Sequence, residues 1–283
     1  MKTPVVVVVG VVVGLGAVLG LLPACGAKSA VVDVVVAGSS TVQPVIEIAG
    51  PLYEAAHPTE VRVQVQGGGS SVGISAPRAE LAQVGMVSRA LKDDEKDLQH
   101  FKIGDDGIAL IVHKNNPLAN LSADEVIKIY TGALTSWKDF GGVDRAITVI
   151  NKEEGRSTLE LFEKHFALKG KFVKNAVIIG PNGQAIATVA ANADAVAYVS
   201  IGSAEVAVAQ GTLIRLLSLD GIAATTANVK NHSYPLQREL NLTTKGVPGG
   251  HVKGLVDFIL GPIGQKIIAD EGFVPVAPPV AVN

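Results

Sequence analysis

From Val31 onward, apolar and polar positions fall into short runs separated by glycine, serine and proline. Val31–Ala37 is almost continuously apolar, which predicts a buried strand. In Glu60–Gln66, Val61, Val63 and Val65 alternate with Arg62, Gln64 and Gln66, the two-residue period of a half-buried strand. Further strands are predicted within 83–91 and at 107–114, 146–152, 176–179, 195–199 and 212–217. Between them lie helices. One starts at Pro44, where proline suits the first turn, and Pro51 is expected to kink or end it. A short helix runs to about Leu81. Ser122-Ala123-Asp124-Glu125 is a capping box that opens another. After Gly155-Arg156-Ser157-Thr158, Leu159, Phe162 and Phe166 share one helical face. A last helical region covers His251–Ala269. Strands alternating with helices predict an α/β protein with largely parallel sheets, and no internal repeat interrupts the pattern.

The alternating strand at 60–66 stops at Gly67-Gly68-Gly69-Ser70-Ser71. Two chemistries fit so much bare backbone. Gly69-Ser70-Ser71-Val72-Gly73 matches the G-x-S-x-G nucleophile elbow, with Ser71 as the attacking hydroxyl. The same residues could open a helix whose free N–H groups and serine hydroxyls grip an anion. Three other strands end similarly, in "GSST", "VSRA" and "EEGRST". Ligands of open α/β sheets sit beyond the carboxyl ends of strands, so four such turns together favour one oxyanion site.

Composition narrows the classes. With 283 residues, the chain suits one large domain or two lobes. Its 48% hydrophobic and 18% charged content is globular. A net charge of −2 argues against a nucleic-acid binder. Residues 1–30 carry Lys2, an apolar run from Val5 to Leu22 and then small residues, the make-up of a secretory signal. Leu22-Pro23-Ala24-Cys25 resembles the lipobox of bacterial lipoproteins, which would make Cys25 the lipidated new N-terminus. Pro23 is unusual there, and ordinary cleavage near Ala27–Ala30 is the alternative. Cys25 is the sole cysteine, so no intrachain disulfide can support the fold.

"AGSSTVQP", "VQGGGSSVGI", "VSRAL", "IGDDGIALIV", "NKEEGRSTLELFE", "AVAYVSIG", "LDGIAATTANVKNHSYPLQREL" and "GQKII…GFVPV" follow one another along the chain. This ordered series, from about Val34 to Val276, is similar to the periplasmic phosphate-binding proteins of the high-affinity phosphate ABC transporter. The resemblance implies a two-lobed periplasmic binding protein of type II, each lobe a mostly parallel sheet flanked by helices, joined by a hinge. Lobe 1 would be discontinuous, 33–112 plus 235–283, with lobe 2 at 113–234. It implies no cofactor and no catalysis: a monomer closes on inorganic phosphate and presents it to a membrane permease, while the signal and the lipobox-like residues predict export and a lipid anchor. Matched by motif, Ser40 and Thr41 would donate from the first loop, Ser70 from the glycine loop, and Ser88 and Arg89 from the third turn. Across the cleft the family has a basic residue and then Gly-Ser-Gly-Thr. Here Lys152 is followed by Gly155, Arg156, Ser157 and Thr158, with Arg156 in place of a serine and Ser157 in place of a glycine. Family members with Ser-Asp at the third turn have a carboxylate there to accept the phosphate proton; this chain has Arg89, and Asp106 is either the nearest candidate acceptor or a simple turn aspartate before Gly107.

The rival classes leave weaker traces. A serine hydrolase would need an acid and a histidine after Ser71; Asp220 and His251 stand in that order but in no recognisable motif. None of the six histidines has metal-ligand spacing, and the glycine loop lacks the Gly-Lys-Ser/Thr of a P-loop. Trp137 resembles a packing position. A sensor or scavenger that binds an oxyanion without a transporter is the third class.

Overall fold

The computed structural model describes residues 1–4, 10 and 30–276. Cys25 and nearly all of the Val5–Leu22 run lie outside them, as does the expected signal cleavage. Strand β1 (Val32–Gly38) leads through helix α1 (Gln43–Ala56) to β2 (Val61–Gly67), α2 (Ser70–Arg78) and β3 (Val84–Val87). A single 15-residue strand follows, β4 (Gln99–His113), roughly 50 Å long at the usual rise. Next come β5 (Asn120–Leu121), α3 (Ala123–Thr131), β6 (Thr148–Lys152), α4 (Ser157–Phe166), β7 (Val177–Ile179) and α5 (Asn182–Ala191). Then follow β8 (Ala195–Ser200), α6 (Ile201–Ala209), β9 (Ile214–Leu216), β10 (Ser218–Leu219) and α7 (Thr226–Lys230). The described chain ends with β11 (Gln237–Thr244), α8 (Gly250–Leu260), α9 (Pro262–Asp270) and β12 (Val274–Pro275).

The main sheet has the order β2-β1-β3-β11-β4-β8-β6-β7, with β9 and β12 also pairing with β4. Parallel pairing is confined to its outer parts, where β1 lies between β2 and β3 and β6 lies between β7 and β8. Around β4 and β11 the pairing is antiparallel, so the sheet is mixed. Two lobes are visible in its packing. One core gathers Val34, Val36, Ile46, Met86 and Ile103 with Leu240, Leu242, Leu255 and Ile268. The other gathers Ile108, Leu110, Tyr130, Phe162 and Tyr198 as far as Leu236, with a third apolar layer under α5 around Ile150, Ile186 and Val199. The cores change over between Ile103 and Ile108 on β4 and between Leu236, just before β11, and Leu240 on it.

Local chemistry explains most boundaries. Ser122 Oγ accepts from Glu125 N–H at 3.3 Å while Glu125 Oε2 accepts from Ser122 N–H at 2.7 Å, closing the capping box of α3. Pro51 does not end α1, one of the two outcomes expected of it. The helix buries Val45, Ile46, Ala49, Gly50 and Tyr53, whereas Pro51 and Glu47 are exposed. The carbonyl that Pro51 cannot bond therefore faces water, and packing of the opposite face outweighs one lost bond.

Candidate functional site

The turn after β1, the start of α2, the end of β3 and the start of α4 converge. Ser39 and Thr41 come from the first, Ser70 from the second, Ser88 from the third, and Ser157 and Thr158 from the fourth, and all six are buried. Ser39 Oγ donates to Ser88 Oγ at 2.8 Å, and Ser70 Oγ donates to Ser157 Oγ at 3.0 Å. Ser88 and Ser157 share a hydrogen bond of 2.6 Å. The last two contacts join the lobes. So does Asn182 Nδ2, which donates to Thr41 Oγ1 at 3.0 Å.

Bare backbone makes this convergence possible. Gly69 has φ +90°, and a Cβ there would stand 2.7 Å from the carbonyl oxygen of Gly155 in the other lobe. Ser71 N–H donates to that same carbonyl at 3.1 Å. A Cβ on Gly73 would stand 2.1 Å from Met86 O, so α2 touches β3 backbone to backbone and brings Ser70 to Ser88. The glycine stretch opens a helix at a lobe junction. Ser71 itself is exposed, and the hydrolase partners are elsewhere: Asp220 accepts from Ala123 N–H, and His251 meets Tyr53, His57 and Glu60.

At the centre of the hydroxyls is Arg238, with its side chain fully buried. Its Nε and Nη2 donate to Asp106 Oδ2 at 3.0 and 2.8 Å. Nη2 also reaches Thr41 Oγ1 at 3.1 Å, and Nη1 reaches Thr158 Oγ1 at 2.9 Å and Ser88 Oγ at 3.4 Å. Arg238 on β11 and Asp106 on β4 are opposed in the antiparallel register, so the pair stands where the two cores meet. A buried guanidinium needs its counter-ion and its hydrogen-bond partners, and all are present. Asp106 thus belongs to the cluster as the partner of Arg238, with its other oxygen accepting from Gly202 N–H at 3.3 Å. Arg238 is the residue that motif matching missed. Its only signal was its place in "SYPLQREL", since an arginine in a polar run reads as exposed surface.

The remaining expected residues divide. Lys152 is buried at the end of β6, its Nζ 3.3–3.4 Å from Gly180 O, Pro181 O and Asn182 Oδ1. Burial, helped by Arg156 and Arg238, pulls its pKa down to about 7. Arg156 lies against Gly69 and Gly180. Its Nη2 donates to Glu153 at 2.9 Å, while Nε and Nη1 are buried without a hydrogen-bond partner. Ser40 is half-buried and lines a cleft with Pro44, Asn182 and Ile186; the hydroxyl beside Thr41 within the cluster is that of Ser39. Arg89 is not brought to the cluster. Its Nη1 and Nη2 donate to Glu95 at 2.6 and 2.8 Å, because a buried guanidinium beside a carboxylate pairs with it before any other acceptor. Arg238 thus stands among the six hydroxyls with Asp106 as its counter-ion, and Lys152 and Arg156, the latter paired with Glu153, lie near it, an arrangement suited to a small oxyanion. Among the described residues no His, Cys, Asp and Glu cluster could hold a metal ion.

A family model described as a PBP superfamily domain matches residues 26–262. The chain belongs to that superfamily. Of its relatives, the phosphate-binding protein PstS of Bacillus subtilis is 28% identical over 89% of this chain and 83% of its own length. A Clostridium perfringens structure, described as a phosphate ABC transporter substrate-binding protein with bound phosphate, superposes with TM-score 0.80 at 33% identity, covering 87% of this chain and all of that one. An ABC-type phosphate transport receptor from Vibrio cholerae gives TM-score 0.67 at 28% identity, with the same coverage. A regulatory domain from Synechocystis PCC6803 in complex with 2-PG, 14% identical with TM-score 0.58 and covering 80% of this chain and 94% of that one, shares the fold.

Proposed function

We propose that this PBP superfamily member is an exported receptor that captures inorganic phosphate between its lobes and delivers it to the permease of an ABC transporter. The observation that carries this is the buried set of six hydroxyls around Arg238, drawn from both lobes of a fold shared with a phosphate-bound relative. Ser39, Thr41, Ser70, Ser88, Ser157 and Thr158 would surround the ion, and Lys152, Arg156 and Arg238 would supply charge. Each hydroxyl can donate to a phosphate oxygen or accept its proton. The protein performs no chemistry on the ion; closure and opening are its work. The core changeover supports a hinge on β4 and β11, with the first segment of lobe 1 ending within 103–107 and the second beginning within 237–239. The sequence around Cys25 supports a lipid anchor.

Phosphate added to the stripped protein should raise its melting temperature, since only the closed native state binds. Saturation at a thousand times the dissociation constant is worth roughly 4 kcal/mol. A melting temperature unmoved by phosphate would sink the proposal, whatever sulfate, arsenate and molybdate do.

A further inference from the structure

Glu160 lies one turn into α4, just beyond the Ser157 and Thr158 that this helix gives to the site. Its Oε2 is 3.1 Å from Arg89 Nε and 2.9 Å from Lys92 Nζ. Both cations belong to the other lobe, on the chain leaving β3. Arg89 is fixed there by Glu95, which also accepts from Lys92 N–H at 2.9 Å. Arg89, Lys92 and Glu95 thus form a rigid socket with one positive charge in excess, and Glu160 neutralises it from across the lobe junction. Arg89 Nε is buried and is not aligned for a hydrogen bond, so its contact with Glu160 is an ion pair. Burial of the Arg89 side chain, 6% exposed, and the partial cover of Glu160, 27% exposed, limit screening of the pair.

We propose that Glu160 is a positioning residue: its ion pairs with Arg89 and Lys92 pin α4 across the lobe junction and set how long a captured anion stays. The inference rests on the proposed capture of phosphate between lobes. Separating the lobes must break these pairs as Ser157 and Thr158 withdraw. The pairs exist in the closed form, so they bias the equilibrium toward it. Capture by the open form gains nothing from them, so the effect falls on dissociation.

The test turns on a sign. A carboxylate near an anion site repels the anion, and on that ground alone Glu160→Gln would tighten binding. A pin predicts the opposite. In phosphate-stripped full-length protein followed by stopped flow, Glu160→Gln should speed phosphate dissociation about three- to tenfold and leave association within about twofold. Glu154→Gln removes an equal charge from an exposed position before the same helix and should leave dissociation unchanged. Because burial limits screening of the pair, high salt should still leave the wild type slower than Glu160→Gln. Unchanged or slower dissociation in Glu160→Gln would overturn the inference. If the wild type binds no phosphate, the functional proposal fails by itself. Small-angle scattering of the ligand-free proteins then decides the pin: a larger radius of gyration for Glu160→Gln supports it, and equal radii overturn it.

Discussion

Arg238 and Arg89 show how far a residue's type falls short of its role. Both are buried arginines beside a serine-rich turn, and the sequence motif favours Arg89. The structure gives Arg89 two carboxylates, Glu95 and Glu160. It gives Arg238 one carboxylate and three hydroxyls of the cluster. An ammonium on a flexible stem cannot span Asp106, Thr41, Ser88 and Thr158 at once. Arg238→Lys should therefore weaken phosphate binding about 10- to 100-fold in titration calorimetry, given roughly 1.5–3 kcal/mol for a charge-assisted hydrogen bond. Ser71→Ala, which keeps the backbone contact to Gly155, should stay within about twofold. Equal losses for the two variants would return Ser71 to the centre of the site.

At the scale of elements, the backbone contact between α2 and β3 fixes where Ser70 stands. Gly73→Ala would drive a methyl group into Met86 O. The expected cost is about 1–3 kcal/mol, a fall of roughly 3–10 °C in melting temperature by differential scanning fluorimetry, together with weaker phosphate binding. An unchanged melting temperature would show that α2 can slide on β3. The strands of period two and the helices with caps were legible in sequence, as were four of the turns that build the site, because alternation and capping are local. Three helices and four strands were not, and three of those strands, β5, β10 and β12, are only two residues long. α5 and α6 are rich in alanine and small apolar residues, so no polar face marks their period, and α7 is only five residues long. β11 buries Arg238, Asn241, Thr243 and Thr244, so its polar positions conceal a central strand. β4 was legible only in its apolar second half, 107–114, because its first half is more exposed and polar.

Over the whole molecule, the lobes meet across the proposed anion site, where Arg238 is paired with Asp106, Arg156 with Glu153, and Lys152, among the described residues, with no carboxylate. Burial first, and the charges of Arg156 and Arg238 second, make Lys152 a weaker base than an ordinary lysine. Its pKa in the fold, about 7, lies below its ordinary value of 10.5. The unfolded chain therefore binds more protons between about pH 7 and pH 10, and this group makes ligand-free stability rise with pH across that window. A bound anion reverses the local field and favours the charged amine. Phosphate binding near about pH 8.5 should then take up a proton, and the affinity due to this group should fall as pH rises. Calorimetry in two buffers of different ionisation enthalpy measures the uptake, and Lys152→Arg should abolish it. Heats that do not depend on the buffer would refute the coupling.

The interleaving of the two cores also bears on the order in which the chain can fold. Lobe 2's core takes residues that are contiguous from Ile108 to Leu236, whereas lobe 1's core needs Val34–Ile103 together with Leu240–Phe273. A chain emerging from its N-terminus therefore cannot seal the first core until almost its last residues are free. Contacts of such long sequence separation form slowly, because the loop must close before they are rewarded. While β11, α8 and α9 are still to come, β1, β2 and β3 have no completed core to enter. If the chain is exported as proposed, that delay keeps its leading third pliable during passage, and the stretch from β11 to α9 acts as the keystone.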